Sequence, residues 1–492
     1  MSTGNFRGNA VLMKDRSGRG GFASAPTRTM RRLLRILLPP AAAVTLAIFA
    51  APAAAATGVA PARGFAPRQL LVKFEGEQRG RALALAPGTK VRQAARALRQ
   101  DPRVVYAVPN YRATASAAPA PPFDPDDSGA LEGTPEASGS SVGGWAFKQW
   151  NFLSPEGSPD GELPPSPGGI DAVDAWRNLI EAGRPGATGV VVAVLDSGIA
   201  YRSQGTRFLR SPDFGLRQFI PGFDFVENDR VPLDESGHGT HVAGTIGEKT
   251  DNGVGLTGLA YGAKLMPVRV LDRNGFGNAL NIAKGIRFAV AHHAQVINMS
   301  FNFACGKRVP MVDEALREAY EQGVVTVASV GNLGSETCVS EPATGPRVIG
   351  VGGTTEGGCL GDYSLAGTAV DLVAPGGGVP QDGCPSVAAR PIYQVTLRAD
   401  STYSFGIPVN YVGTSMAAAH VSGVAAMLLA SRRINPVLSP EAKVRAVTKH
   451  LRKTARDLGL PRTQQGAGLV DAGAVTGTGP SFYPPGKHPP LP

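Results

Sequence analysis

This 492-residue chain is poor in cysteine (four) and tryptophan (three), and only 18% of it is charged. It has no His-Glu-x-x-His run, which leaves no zinc-protease signature. No Gly-x-Ser-x-Gly elbow surrounds Ser415, which argues against a lipase or esterase. No cysteine lies in a His/Asn setting that would make it a nucleophile. The longest early apolar stretch, Ile36 to Ala50, is broken by Pro39-Pro40, and this disfavours a membrane anchor. Beyond residue 145 there is no net charge: 30 Lys+Arg stand against 30 Asp+Glu, and the formal +10 arises in residues 1–145, with 19 against 9. A neutral main body gives no reason to expect a nucleic-acid partner. Glycine (63) and proline (41) are plentiful, as suits many turns and spacers.

The first 145 residues read as a series of removable parts. Met30-Arg31-Arg32-Leu33-Leu34-Arg35 is a charged start, the apolar stretch follows, and Ala54-Ala55-Ala56 offers a cleavage site. Residues 1–56, with Met30 as an alternative start, are therefore expected to be a secretory signal peptide, and the protein to be secreted. Arg68 to Phe74 reads as a strand, Lys90 to Arg99 as an amphipathic helix and Val104 to Val108 as a second strand, so residues 57–112 are expected to form a small α+β unit. Residues 113–144, rich in Ala, Pro, Ser and Gly, read as a flexible, cleavable linker. The main domain is expected over 145–476, and 477–492 is a Pro-rich tail.

Three blocks in the main domain carry chemistry. Asp196-Ser197-Gly198 follows the apolar, β-branched run Val190 to Leu195, which reads as a buried parallel strand. His238 opens Gly237-His238-Gly239-Thr240-His241-Val242-Ala243-Gly244. Ser415 lies in Gly413-Thr414-Ser415-Met416-Ala417, at the head of the apolar helix Met416 to Leu429. A serine hydroxyl needs an imidazole to take its proton and a carboxylate to orient that imidazole. Taken singly, Asp196 reads as a turn residue and Ser415 as a helix cap; the three blocks together point to a triad. The order Asp, His, Ser and the surrounding residues resemble the subtilisin-like serine peptidases over roughly residues 165–475.

That resemblance implies an α/β fold with a doubly wound, mainly parallel sheet, and a secreted endopeptidase acting through an acyl-enzyme. Proteins or peptides would be its substrates, residues 57–112 an inhibitor-like pro-segment acting intramolecularly, and the mature protein a monomer. It implies Asp196, His238 and Ser415 as the catalytic residues and Asn332, after the apolar run Val324 to Val330, as the oxyanion donor. Ser300, Phe301, Asn302 and Ser329 would bind substrate, and Ser340 to Ala343 would line the primary pocket. Glu341 there reads either as a selector of basic side chains or as solvent-exposed. The family pattern has Pro where this chain has Ala419, and local change at the start of that helix is expected. An esterase and a catalytically impaired binding module are the rival readings; none of the triad members is missing.

Gly253-Val254-Gly255-Leu256-Thr257-Gly258 matches a dinucleotide fingerprint only in spelling, because it follows a helix and precedes a strand. By resemblance the loop is instead a structural calcium site made of Asp213, Thr250, Asn252, Val254 and Leu256, with no cofactor for catalysis. His241, one turn after His238, reads as a packed structural residue. Cys305, Cys338, Cys359 and Cys384 suggest two disulfides; of three pairings, sequence proximity favours Cys305–Cys338 and Cys359–Cys384.

Overall fold

The computed structural model describes residues 65–77, 81–111, 125–131, 144–159, 161–304, 308–334, 338–384 and 389–477. The expected signal peptide, and the Pro-rich tail apart from Gly477, lie outside them. The chain divides into two compact units, residues 1–118 and 119–492. No helix among the described residues is long and apolar enough to cross a membrane.

The first unit has strands β1 (Phe65–Phe74), β2 (Arg81–Ala84) and β3 (Val104–Tyr111) and helix α1 (Val91–Leu98). β1 is central and antiparallel to both neighbours, with Leu71 opposite Ala82 and Val108. Alternation along β1 buries Leu70 and Val72, and α1 covers them with Val91 and Ala95, four residues and so one turn apart. β2 is an addition to the expected strand–helix–strand order; its short, mostly exposed run carries no strand pattern to read.

The second unit is built on a seven-stranded sheet in which every pairing is parallel. Its strands are β4 (Val191–Asp196), β5 (Phe223–Asp224), β6 (Lys264–Arg269), β7 (Val296–Met299), β8 (Val325–Ser329), β9 (Ile349–Thr354) and β10 (Leu372–Pro375), in the order β10-β9-β8-β7-β4-β6-β5. Parallel strands are covered on both faces, which is why β7, β8 and β9 are buried along their whole length. Helix α2 (His238–Gly247) packs with α5 (Thr414–Ala430), and α3 (Ala279–Ala291) packs with α4 (Pro310–Glu321). α5 is apolar all round and buries every residue except Leu429, so it is a core helix and not a surface one. The chain runs from β4 to β5 and β6 on one side, then crosses to β7 and continues outward on the other. The order thus reverses at β4, and functional groups of such sheets gather at the carboxyl ends of the strands at that point.

The spacer reading of residues 113–144 fails over 125–131. This short strap is bound to the second unit. The N–H groups of Asp251 and Asn252 donate to the Asp127 carboxylate at 3.1 and 3.0 Å, and that of Gly253 to Asp126 at 2.8 Å. Gly129 and Gly255 N–H groups donate across to Gly255 and Ala130 carbonyls. The Trp145 indole donates to the Pro125 carbonyl at 2.9 Å and stacks edge-on against Trp176. Composition marked the segment as flexible and cleavable, but its carboxylates find fixed donors on a loop about 125 residues further on.

Candidate active site

Asp196 closes β4 and is fully buried. Its Oδ1 lies 2.8 Å from His238 Nδ1 and also accepts the Ser197 N–H. His238 is the first residue of α2. Burial disfavours its imidazolium, but the charge of Asp196 and its hydrogen bond outweigh burial, so the pKa is raised above the ordinary 6.5. The approach of α2 to the strand end requires Gly239: a Cβ there would lie 2.2 Å from the Gly198 carbonyl oxygen and 3.1 Å from Asp196 Cβ.

A residue absent from the sequence reading holds this arrangement. Asp234, buried, accepts five hydrogen bonds: from the Ser197 hydroxyl and the N–H groups of Ser236 and Gly237 at Oδ1, and from the Thr240 N–H and hydroxyl at Oδ2. It clamps the residue after Asp196 to the first turn of α2. Ser197 then accepts the Gly239 N–H at 3.0 Å. The available signal was an Asp a few residues ahead of a helix start, which suits the free N–H groups there.

Ser415 lies in the first turn of α5, after Gly413, whose φ of +152° and close approach to Asn332 exclude a side chain. Its hydroxyl donates to the Ser300 carbonyl at 3.2 Å, and the Ser300 hydroxyl donates to the Ser415 carbonyl at 2.8 Å. No Ser415–His238 hydrogen bond forms among the described residues; in resting sites such bonds are often loose and tighten with substrate. Asn332 follows β8. Its Oδ1 accepts both the Thr414 N–H (2.9 Å) and the Thr414 hydroxyl (2.8 Å), which fixes the amide and leaves Nδ2 as an uncommitted donor among the described residues. α5 runs unbroken through Ala419, and His420 is buried with Nδ1 donating to the Met416 carbonyl and Nε2 facing Asn151.

The four expected substrate-binding residues come together. Ser300 touches Ser415 as described. Asn302 Nδ2 donates to the Ser329 carbonyl at 2.6 Å, and the Ser329 hydroxyl returns to Asn302 Oδ1, so the ends of β7 and β8 are tied, with half-buried Phe301 between Ser300 and Asn302. Glu341 is neither exposed nor free to select a basic substrate: it is 1% exposed, accepts the Val309 N–H at 2.8 Å and faces Arg308. Its charge is engaged in holding the loop before α4. His241 is a packed residue, stacked on Tyr411 at 4.0 Å with Nε2 bound to the Ile392 carbonyl; burial lowers its pKa to about 3.

Of the expected calcium ligands, Asp213 meets Asn252 and Leu256. Its Oδ1 accepts Asn252 Nδ2 and its Oδ2 accepts the Leu256 N–H, while Asn252 Oδ1 accepts the Val254 N–H. The Thr250 hydroxyl bonds Thr257. Asp127, from the strap, joins the same loop. Both carboxylates are fully buried, and burial pushes Asp127 up to about 7 and Asp213 up to about 8. Glu248 is buried beside them, its pKa raised by burial and by the charge of Asp213. No group of three or more His, Cys, Asp or Glu among the described residues is arranged to hold a metal ion. Cys359 and Cys384 are disulfide-bonded, with Cα atoms 6.3 Å apart. Cys338 is also disulfide-bonded, and its expected partner Cys305 lies outside the described residues.

Known proteins match over this same region. The family model described as the subtilase family matches residues 187–469. A thermophilic serine proteinase from a Bacillus species is 36% identical over 51% of this chain and 54% of its own length. A minor extracellular protease of Bacillus subtilis is 30% identical over 80% of this chain and 50% of its own. The chain thus spans about half the length of these relatives. Among solved structures, a protease of Pseudoalteromonas arctica aligns with a TM-score of 0.52 at 30% identity, over 63% of this chain and 94% of that one. With its parallel sheet reversing at β4 and a family match that takes in Asp196, His238 and Ser415, the chain belongs to the subtilase family.

Proposed function

We propose that the protein is a secreted serine endopeptidase. The observation that carries this reading is the 2.8 Å bond between Asp196 and His238 at the reversal point of the sheet, with the Ser415 block at the head of a buried helix. In the reaction Ser415 Oγ leaves its bond to Ser300 and attacks the peptide carbonyl carbon. His238 takes the hydroxyl proton, and the Asp196 carboxylate stabilises the imidazolium. The carbonyl oxygen becomes an oxyanion beside Asn332 Nδ2 and the first-turn N–H groups of α5. His238 returns the proton to the leaving amine. Water then attacks the acyl-enzyme by the same route and frees Ser415.

Secretion is supported by the disulfide Cys359–Cys384, which suits an oxidising compartment, and by a relative named as extracellular. The first unit, with its own core of Leu70, Val72, Val91, Ala95 and Ala107, suits a pro-segment that acts as inhibitor of a monomeric enzyme. A structural calcium at the 250–256 loop is part of the proposal. The chemistry supporting it is two buried carboxylates, Asp127 and Asp213, hydrogen-bonded only by neutral N–H donors among the described residues. Asn252 would turn its amide oxygen inward, and loop carbonyls would complete an oxygen cage.

Ser415→Ala tests the central reading. It is expected to abolish casein hydrolysis and leave the precursor unprocessed; near-normal hydrolysis by the purified variant sinks the proposal. Asn332→Leu is expected to cut turnover by roughly 10²–10³, a magnitude established in subtilisin, with little change in KM or melting temperature. Normal turnover with a lowered melting temperature would make Asn332 a turn residue only.

The raised His238 pKa sets the acid limb of activity. The base must be neutral, so activity should fall as pH drops through a midpoint above the ordinary 6.5. A pH–rate profile with its midpoint well below that value contradicts the Asp196–His238 coupling.

Stability should move the other way. Asp127 and Asp213 ionise near 3.8 when unfolded but at about 7 and about 8 when folded, so the fold loses stability as pH rises through that window. In chelator the melting temperature is expected to fall across it, and added calcium to restore the alkaline loss. Identical melting curves with and without calcium at the alkaline end would remove the ion from the proposal.

A further inference from the structure

A groove of about 590 Å³ lies beside the amino ends of β9 and β10, where Val348 and Asp371 precede the two strands and line it. Because the sheet is parallel, Asp196, Ser300 and Asn332, which close or follow β4, β7 and β8, stand at the opposite ends of the strands. The groove is therefore separate from the triad.

Its lining is strongly basic. Arg347, Arg445, Lys449, Arg452, Lys453 and Arg462 face one carboxylate, Asp371. Arg452 pairs with Asp371 at 3.4 Å, Arg445 donates to the Tyr320 hydroxyl at 2.6 Å, and the Arg347 guanidinium lies 5.6 Å from the centre of the Tyr320 ring. Lys449, Lys453 and Arg462 form no ion pair among the described residues.

Helix α6 (Pro440–Thr454) supplies four of these cations. Arg452 and Lys453 sit in its last turn, where the helix dipole favours positive charge. The dipole does not account for Arg445 and Lys449 further back. Nor does it account for Arg347 and Arg462, which come from other segments. Arg445–Lys449 and Lys449–Lys453 are like-charge pairs four residues apart, and such pairs weaken a helix. Residues 146–492 carry as many acids as bases, so this concentration is local, and it focuses potential into a concave site. The floor is of another kind: Val348 and Val444 are buried beneath it, with Ala467 and the Tyr320 ring beside them. A polyphosphate would use the rim alone. A peptide with carboxylates and apolar side chains would use rim and floor together.

We propose that this groove docks an acidic peptide segment, with apolar residues between its carboxylates, carried by a protein partner. The inference does not depend on the peptidase reading, because binding is measured without turnover. The probe is a fluorescein-labelled peptide of alternating Glu-Glu and Leu, titrated by anisotropy with the full chain carrying Ser415→Ala. Saturable binding is expected, lost with rising salt and absent for the matching Lys-Lys-Leu peptide. Adding Lys449→Glu, Lys453→Glu and Arg462→Glu should weaken it by about tenfold or more, from three ion pairs reversed. These side chains are exposed, and the milder Lys449→Gln, Lys453→Gln, Arg462→Gln set should show a smaller loss at an unchanged melting temperature. The proposal is overturned by absence of saturable binding or by equal affinity in both variant sets. It is also overturned if a single-stranded oligonucleotide of equal charge binds this groove more tightly than the peptide.

Discussion

The Asp234 carboxylate is the constraint on which the site geometry rests. It is buried, and five donors surround it, drawn from the loop after β4 and from the start of α2. Asp196 and His238 are 42 residues apart in sequence, and each belongs to a different element. A β4 end and an α2 start that drifted by an ångström would separate Oδ1 from Nδ1. Donation from N–H and hydroxyl groups, some at the positive end of a helix, offsets part of the desolvation of the carboxylate, though burial still raises its pKa, and makes the two elements one rigid piece. Thr414 acts similarly on Asn332, and Ser300 on Ser415, so each functional side chain is held by a neighbour with no role of its own in bond breaking.

Much of this could be read from the sequence because parallel strands and core helices write continuous apolar runs. Val190 to Leu195 corresponds to β4, Val324 to Val330 encloses β8, and Met416 to Leu429 lies within α5. The residues that close or follow them were legible for the same reason: a polar residue directly after a buried run stands at a strand end. Asp234 was not legible in this way, since three of its five donors are backbone N–H groups that any sequence would offer. Glu341 was misread because a carboxylate with an Arg nearby and a loop N–H to accept looks, in sequence, like any surface acid. The 125–131 strap was misread because composition averages over a segment, while two acids at its start, Asp126 and Asp127, decide where it lies.

The region around α2 gathers buried acids at both ends. Asp234 stands at the amino end, where the helix dipole supports a negative charge. Glu248 caps the carboxyl end, where the dipole opposes one, and Asp213 and Asp127 lie close by. The first acid is held by donors. The other three share a desolvated pocket, and burial raises the pKa of all four acids. One helix therefore joins a site that must be rigid at every working pH to a loop whose charge state changes within it.

The strap has a consequence for how the chain can be cut. Hydrogen bonds from residues 251–255, not only peptide continuity, keep residues 125–131 in place. Cleavage on both sides of residues 125–131 would leave the short piece seated as a second chain, a nicked heterodimer in place of a trimmed monomer. Its retention would then obey mass action. On dilution the peptide would leave, the 250–256 loop would lose the partner that engages its amides, and the same cut protein would behave as two species at two concentrations.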